Sequence, residues 1–138
     1  MNEGGRLSLV SLLVLAGLLL LPGFAAYAYF GETVSLWLLG ECVLASLLTY
    51  YLYASDKKRA RADTWRVAES TLHLWELIGG WPGAFLAQRR LRHKVSKLGY
   101  QFVFWSIVLL YHYIAADSLM QWKMTLAVKE FIRTQLAR

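Results

Sequence analysis

Glu69, His73 and Glu76 recur at i, i+4 and i+7, so a helix here would carry two carboxylates and an imidazole on one stripe. Such a set could ligate zinc, manganese or iron, with His93 as a fourth ligand if the chain folds back. The plainer alternative is a polar stripe that faces water or pairs with Arg66, Arg89 and Arg92. That alternative leaves no metal or other cofactor to be expected. A second constellation is cationic. Ten of the fifteen basic residues fall in two bursts, Lys57, Lys58, Arg59, Arg61 and Arg66, then Arg89, Arg90, Arg92, Lys94 and Lys97. Guanidinium forks grip phosphate bidentately, and each surface Lys or Arg adds about 1 kcal/mol near an anionic leaflet. Between the bursts lies Gly79-Gly80-Trp81-Pro82-Gly83, whose free amides could line a small anion-binding concavity. It lacks the Gly-Lys-Ser/Thr ending of a phosphate loop. The candidate anion- or lipid-binding set is therefore Lys57, Lys58, Arg59, Arg61, Arg66, Gly79, Gly80, Gly83, Arg89, Arg92, His93 and Lys94.

Catalysis has thinner support. Ser55, Asp56, Glu69 and His93 are the nucleophile or base candidates beside the basic bursts, and their spacing matches no hydrolase or transferase motif. No catalytic residue is assigned. Glu41 and His112 lie within apolar runs and could relay protons, or simply hydrogen-bond between helices. Cys42 is the single cysteine, so no intrachain disulfide can form, and a packed small side chain is its expected role. Nucleic acid would use the same cations with Trp65 as a stacking platform, but a Trp at such a boundary reads first as an interfacial anchor.

The elements that must position these groups are apolar. Apolar residues make up 57% of the chain, above the about 45–50% of soluble domains. Residues 7–30 carry no charge and are long enough to cross roughly 30 Å of hydrocarbon, with Pro22 and Gly23 as a kink near the far end. Ala26-Tyr27-Ala28 also allows a cleaved leader, although Arg6 against Glu3 makes a weak n-region. Gly31-Glu32-Thr33 forms the next loop. Residues 34–54 form a second span ending in an aromatic belt of Tyr50, Tyr51 and Tyr53, followed by a basic loop over 55–66. Residues 67–87 are broken by the glycine-proline run, and 88–97 form a second basic loop. Residues 98–119 make a third span. Residues 121–138 read as an amphipathic helix on a membrane surface or a partner, with Met124, Ala127, Val128, Phe131 and Ile132 on one side and Lys123, Lys129, Glu130, Arg133 and Thr134 on the other.

Two threadings compete for 67–87. A hairpin that enters and returns puts eleven basic residues inside and four outside; a crossing puts ten inside and five outside. Charge barely separates them, so the polar stripe and the mid-segment break decide for the hairpin. The expected architecture is an all-α polytopic helical bundle: three transmembrane helices, a broken re-entrant hairpin and a C-terminal amphipathic helix, in one membrane domain.

One combination of residues is specific. Asp56-Lys57, Trp65-Arg66 with Glu69 three on, Gly79-Gly80-Trp81-Pro82-Gly83-Ala84, Gln88-Arg89, Arg92-His93-Lys94 and Phe102-Val103-Phe104-Trp105 together resemble the small bacterial membrane family DUF1294, over residues 53 to about 110. The resemblance implies a multi-pass protein of a bacterial inner membrane and marks 56–94 as its signature region. It implies no reaction. Some members look like fusions to a cold-shock domain, and nothing in this chain alternates like its five strands. The leading expectation is a non-catalytic module that binds anionic phospholipid, or a protein partner or second copy, at its cytoplasmic basic face. The alternatives are a membrane enzyme acting on a lipid or small hydrophobic substrate, and a metal-handling or small transport protein.

Overall fold

The computed structural model describes residues 7–137; Glu3 and Arg6 of the leader-like n-region, and Arg138 at the end of the amphipathic segment, lie outside the described residues. Those residues are all helix and connecting turn, in the order α1 (Leu9–Arg61), α2 (Glu69–Trp75), a π-helical turn (Glu76–Gly80), α3 (Trp81–Leu91), α4 (Leu98–Leu119) and α5 (Lys123–Leu136).

α1 starts where Ser8 accepts the Ser11 amide at 3.1 Å, and it ends with Lys58, Arg59 and Arg61 in its last turn, where cations complement the helix dipole. It is two helices joined without a loop. The break falls at Gly31, φ 76 and ψ −178, and not at Pro22, which sits inside the first helix. Only glycine enters that backbone region without steric cost. The expected three-residue connection thus shrinks to one residue.

Two helices, Leu9–Arg61 and Leu98–Leu119, are long and apolar enough to cross a membrane. Of their most apolar stretches, only 11% and 28% of residues are buried, so they present apolar surface outward. Leu36, Leu39, Leu44 and Leu47 on α1 and Phe102 and Leu109 on α4 are among the exposed side chains.

The segment after α1 doubles back. The Asp56 carboxylate accepts the Val67 amide at 3.0 Å and bonds His93 Nε2 at 2.8 Å, so both ends of the segment meet the same residue of α1. Its far point is Gly79, whose carbonyl accepts the Cys42 thiol at 3.3 Å. From 56 to 42 is fourteen residues of α1, a depth of ~21 Å at 1.5 Å per residue. The reversal needs Gly79 at φ 132. Pro82 then occupies the first turn of α3, where its missing amide costs nothing.

Tight seating of this hairpin explains the other glycines. A Cβ on Gly80 would lie 2.0 Å from Thr49 Oγ1 and 2.8 Å from the Ala45 carbonyl oxygen, and one on Gly83 would lie 2.0 Å from the Ser46 carbonyl oxygen. Backbone on backbone at this range tolerates only hydrogen. Around the contact pack Leu72, Trp81, Ala84, Phe85, Phe104 and Val108, all buried, with Phe85 and Trp105 edge to face at 6.4 Å. Gly83→Ala should therefore lower stability in detergent by about 1–3 kcal/mol. Gly40→Ala, with nothing within 4 Å, should leave the melting temperature unchanged or raise it slightly. Thermal unfolding of the two variants side by side tests this.

Candidate functional site

The groups that could do chemistry lie along the seam between α1, the hairpin and the start of α4. At its centre is Glu76, fully buried. Its Oε1 accepts the Tyr53 hydroxyl at 2.5 Å and the Tyr100 hydroxyl at 2.8 Å, and Oε2 lies 2.6 Å from His73 Nδ1. The two hydroxyls are 2.6 Å apart, and Gln88 Nε2 donates to Tyr53 at 3.0 Å. Gln101 Nε2 donates on to Gln88 Oε1 at 2.7 Å and to the Lys94 carbonyl at 3.0 Å. One network thus crosses α1, α2, the π-helical turn, α3 and α4. Three polar side chains meet this buried carboxyl group, which offsets the cost of burying it. The His73 ring stacks on Tyr100 at 4.1 Å between centroids, and Lys94 Nζ sits 4.8 Å from the centre of the same ring.

A second cluster closes the mouth of the hairpin. Lys94 Nζ lies 3.2 Å from Asp56 Oδ2 and 3.3 Å from Glu69 Oε1, and Lys97 Nζ lies 2.6 Å from Glu69 Oε1. Lys57 donates to the Leu91 carbonyl, capping the end of α3. Arg92, at φ 48, and Lys94, at φ 62, turn the loop back into α4. The Lys97 hydrogen bond, helped by Lys94, holds the Glu69 carboxyl below its ordinary range.

These geometries sort the residues singled out from the sequence. Glu69, His73 and Glu76 do not form one water-facing stripe. Only His73 and Glu76 pair, Glu69 turns to Lys94 and Lys97, and among the described residues no three His, Cys, Asp or Glu gather as a metal set. The partners of this acidic stripe are lysines and tyrosines, where Arg66, Arg89 and Arg92 were expected. Gly79, Gly80 and Gly83 are buried against α1 at the far end of the hairpin, so packing and reversal account for them in place of an anion cradle beside the basic bursts. Lys57, His93 and Lys94 are half-buried and engaged in the mouth cluster. Lys58, Arg59, Arg61, Arg66, Arg89, Arg90 and Arg92 are exposed around that mouth, with Arg89 also 5.1 Å over the Phe85 ring. Asp56, Glu69 and His93, read as edge catalysts, bind the mouth cations and one another. His112 turns its Nδ1 to the Val108 carbonyl of its own helix at 2.8 Å, while the Glu41 carboxylate lies against Gly79.

Residues 46–100 match the model of a family described as "Protein of unknown function (DUF1294)". Over this stretch the chain is similar to DUF1294. An uncharacterized protein of Bacillus subtilis (strain 168), YsdA, is 28% identical over 60 residues, which cover 44% of this chain and 67% of that relative. No solved structure matches. The DUF1294 segment takes in the end of α1, the whole hairpin, the mouth and the first residues of α4. Every side chain that hydrogen-bonds Glu76 therefore lies inside it.

The residues that sequence reasoning missed are Tyr53, Tyr100, Gln88 and Gln101. The two tyrosines read as interfacial aromatics because they end apolar runs; both are buried, while Tyr51 is exposed. Gln88 carried a usable signal as a polar residue directly after the apolar run Ala84 to Ala87.

Two outcomes follow. Glu76→Ala leaves two phenols and an imidazole without their shared acceptor and should destabilise by about 3 kcal/mol or more, against about 1 kcal/mol for Tyr100→Phe. Chemical or thermal unfolding in one detergent measures both. Because the folded pKa of Glu69 is the lower one, its stabilising contribution is complete above the unfolded value of about 4.3 and is lost as pH falls through the folded value. Glu69→Gln should thus speed hydrogen exchange over residues 93–97 at pH 7, with the difference from wild type closing below about pH 4.

Proposed function

We propose that this chain is a multi-pass protein of a bacterial inner membrane whose DUF1294 segment is a non-catalytic module that binds anionic phospholipid headgroups at its cytoplasmic end. The observation that carries this reading is the Asp56 clamp. By holding Val67 and His93 at one point, it brings the two basic bursts to one mouth. Over residues 55–75 and 88–97 there are ten Lys and Arg against Asp56, Asp63 and Glu69, a local charge of 10 − 3 = +7. The two of those side chains that are not exposed, Lys57 and Lys94, serve the mouth itself, and the exposed Arg59, Arg66, Arg90 and Arg92 are the phosphate donors.

The threading follows from lengths. Leu9–Arg61 has 53 residues, ~80 Å if straight and far more than one hydrocarbon core of about 30 Å. Divided at Gly31, it supplies two crossings, and α4 supplies the third. The hairpin enters from the basic side and returns to it, with its irregular backbone at Gly79 covered by α1, as membrane depth demands. A protein partner would read the same charges, but the outward apolar surface beside them favours lipid.

Two measurements test the reading. On a Cys42→Ser background, Arg61→Cys and Ser96→Cys should react with impermeant maleimide from the same, cytoplasmic, side; labelling from opposite sides ends the hairpin threading. Native mass spectrometry should find phosphatidylglycerol retained over phosphatidylcholine. Replacing Arg59, Arg66, Arg90 and Arg92 by Gln should reduce that preference at least tenfold, an amount ~4 kcal/mol of headgroup attraction can readily supply. Unchanged retention would sink the lipid assignment.

A further inference from the structure

Among the described residues, α5 is a long helix with no buried residue. It is nonetheless not left to wander. Asp117, fully buried near the end of α4, accepts the Met124 amide at 2.9 Å and the Thr125 amide at 3.1 Å through its two carboxylate oxygens, and also takes the Thr125 hydroxyl. Its own carbonyl accepts the Trp122 amide at 2.7 Å. The turn between them passes through two successive left-handed residues, Gln121 at φ 56 and Trp122 at φ 61. Such a conformation is costly for side chains of this size and persists only where the surroundings impose it. The carboxylate does the work of an N-cap from eight residues away, because Trp122 in the cap position offers no acceptor. A rigidly directed helix whose apolar side is covered by none of the described residues implies an external surface at a set height.

The height is marked by aromatics. Trp122 meets the Tyr29 ring edge to face at 6.0 Å, next to Phe30 and the Gly31 break, so the turn between the halves of α1 and the start of α5 share one level. That level is the end of the bundle opposite the basic mouth, since Tyr53 and Tyr100 meet at the other ends of the same two helices. Rings with a polar edge collect where headgroups meet acyl chains. On α5 itself, Phe131, Val128 and Ile132 are exposed on one side, while Lys123, Lys129 and Arg133 against Glu130 give the other side a net +2. Cations flanking an apolar strip match phosphates above acyl chains, with the long stems reaching up past the buried strip.

We propose that α5 is an interfacial anchor: it lies in the plane of the leaflet opposite the basic mouth, its Phe131 side sunk about 5–10 Å to the acyl boundary and its Lys129–Arg133 side among the headgroups. This rests on the membrane threading above but names a different surface, leaflet and set of residues. Spin labels on the Cys42→Ser protein in phosphatidylcholine–phosphatidylglycerol nanodiscs test it, at Val128→Cys, Phe131→Cys, Lys129→Cys and Arg133→Cys, with Leu109→Cys, exposed on mid-α4, as the control. Labels at 128 and 131 should be relaxed by oxygen at least threefold more than by aqueous nickel chelate, relative to 129 and 133. Nickel access equal at all four positions, with 109 still lipid-buried, overturns the anchor and leaves the threading standing. Nickel access at 109 as well overturns both. Dipolar broadening between labels at 131, when each nanodisc holds two copies, would assign the strip to a second chain and likewise overturn the anchor.

Discussion

Asp56 holds the architecture together because at the mouth both limbs of the hairpin meet α1 at this one residue. One carboxylate oxygen takes an amide from the descending limb, and the other takes an imidazole and an ammonium from the ascending loop. Without that shared acceptor, two clusters of like charge would be pressed together with nothing between them. The clamp therefore permits the crowding of cations as well as positioning them. Deeper in the seam, Glu76 repeats the device with hydroxyls in place of amides. Together the two carboxylates tie the hairpin to α1 at its mouth and midway, and glycine-on-backbone contact completes the seat at the tip.

Much of this was legible in the chain before any coordinates. Long uncharged runs and the glycine-proline break identify helices and the place of reversal, because length and φ preference act locally; the expected end of the second span at 54 gives way to a helix that runs on to Arg61. What stayed hidden depends on partners distant in sequence. Tyr53 and Tyr100 look like boundary aromatics in isolation and become interior only because Glu76, 23 and 24 residues away, needs donors. Gly80 and Gly83 look like loop formers, and their packing use appears only once Thr49 and Ser46 are opposite them. Pro22 looks like a stronger breaker than Gly31, yet a proline costs one hydrogen bond while a positive φ redirects the whole axis.

The match to DUF1294 covers most of the seam. Residues 46–100 contain the clamp, the three side chains that hydrogen-bond Glu76, and both Gly80 and Gly83, while Gln101 at one end and Cys42 and Ala45 at the other extend the same contacts beyond it. The first helix of α1 and all of α5 lie outside it, and they carry the surfaces that face away from the seam. The buried seam thus lies for the most part inside the matched segment, and the exposed helix α5 lies beyond it.

The π-helical turn sets a phase for the entire hairpin. In this turn the Leu77 carbonyl accepts the Tyr111 hydroxyl and the Gly79 carbonyl accepts the Cys42 thiol, and the chain reverses at Gly79. Removing a single residue there would change the phase at which α2 enters the reversal. Glu76 and His73 would rotate away from the tyrosines, and Leu72 would leave the core. Chain length between Trp75 and Trp81 is therefore as firmly constrained as any side-chain identity, and natural variants of this hairpin should exchange residues there without gaining or losing one.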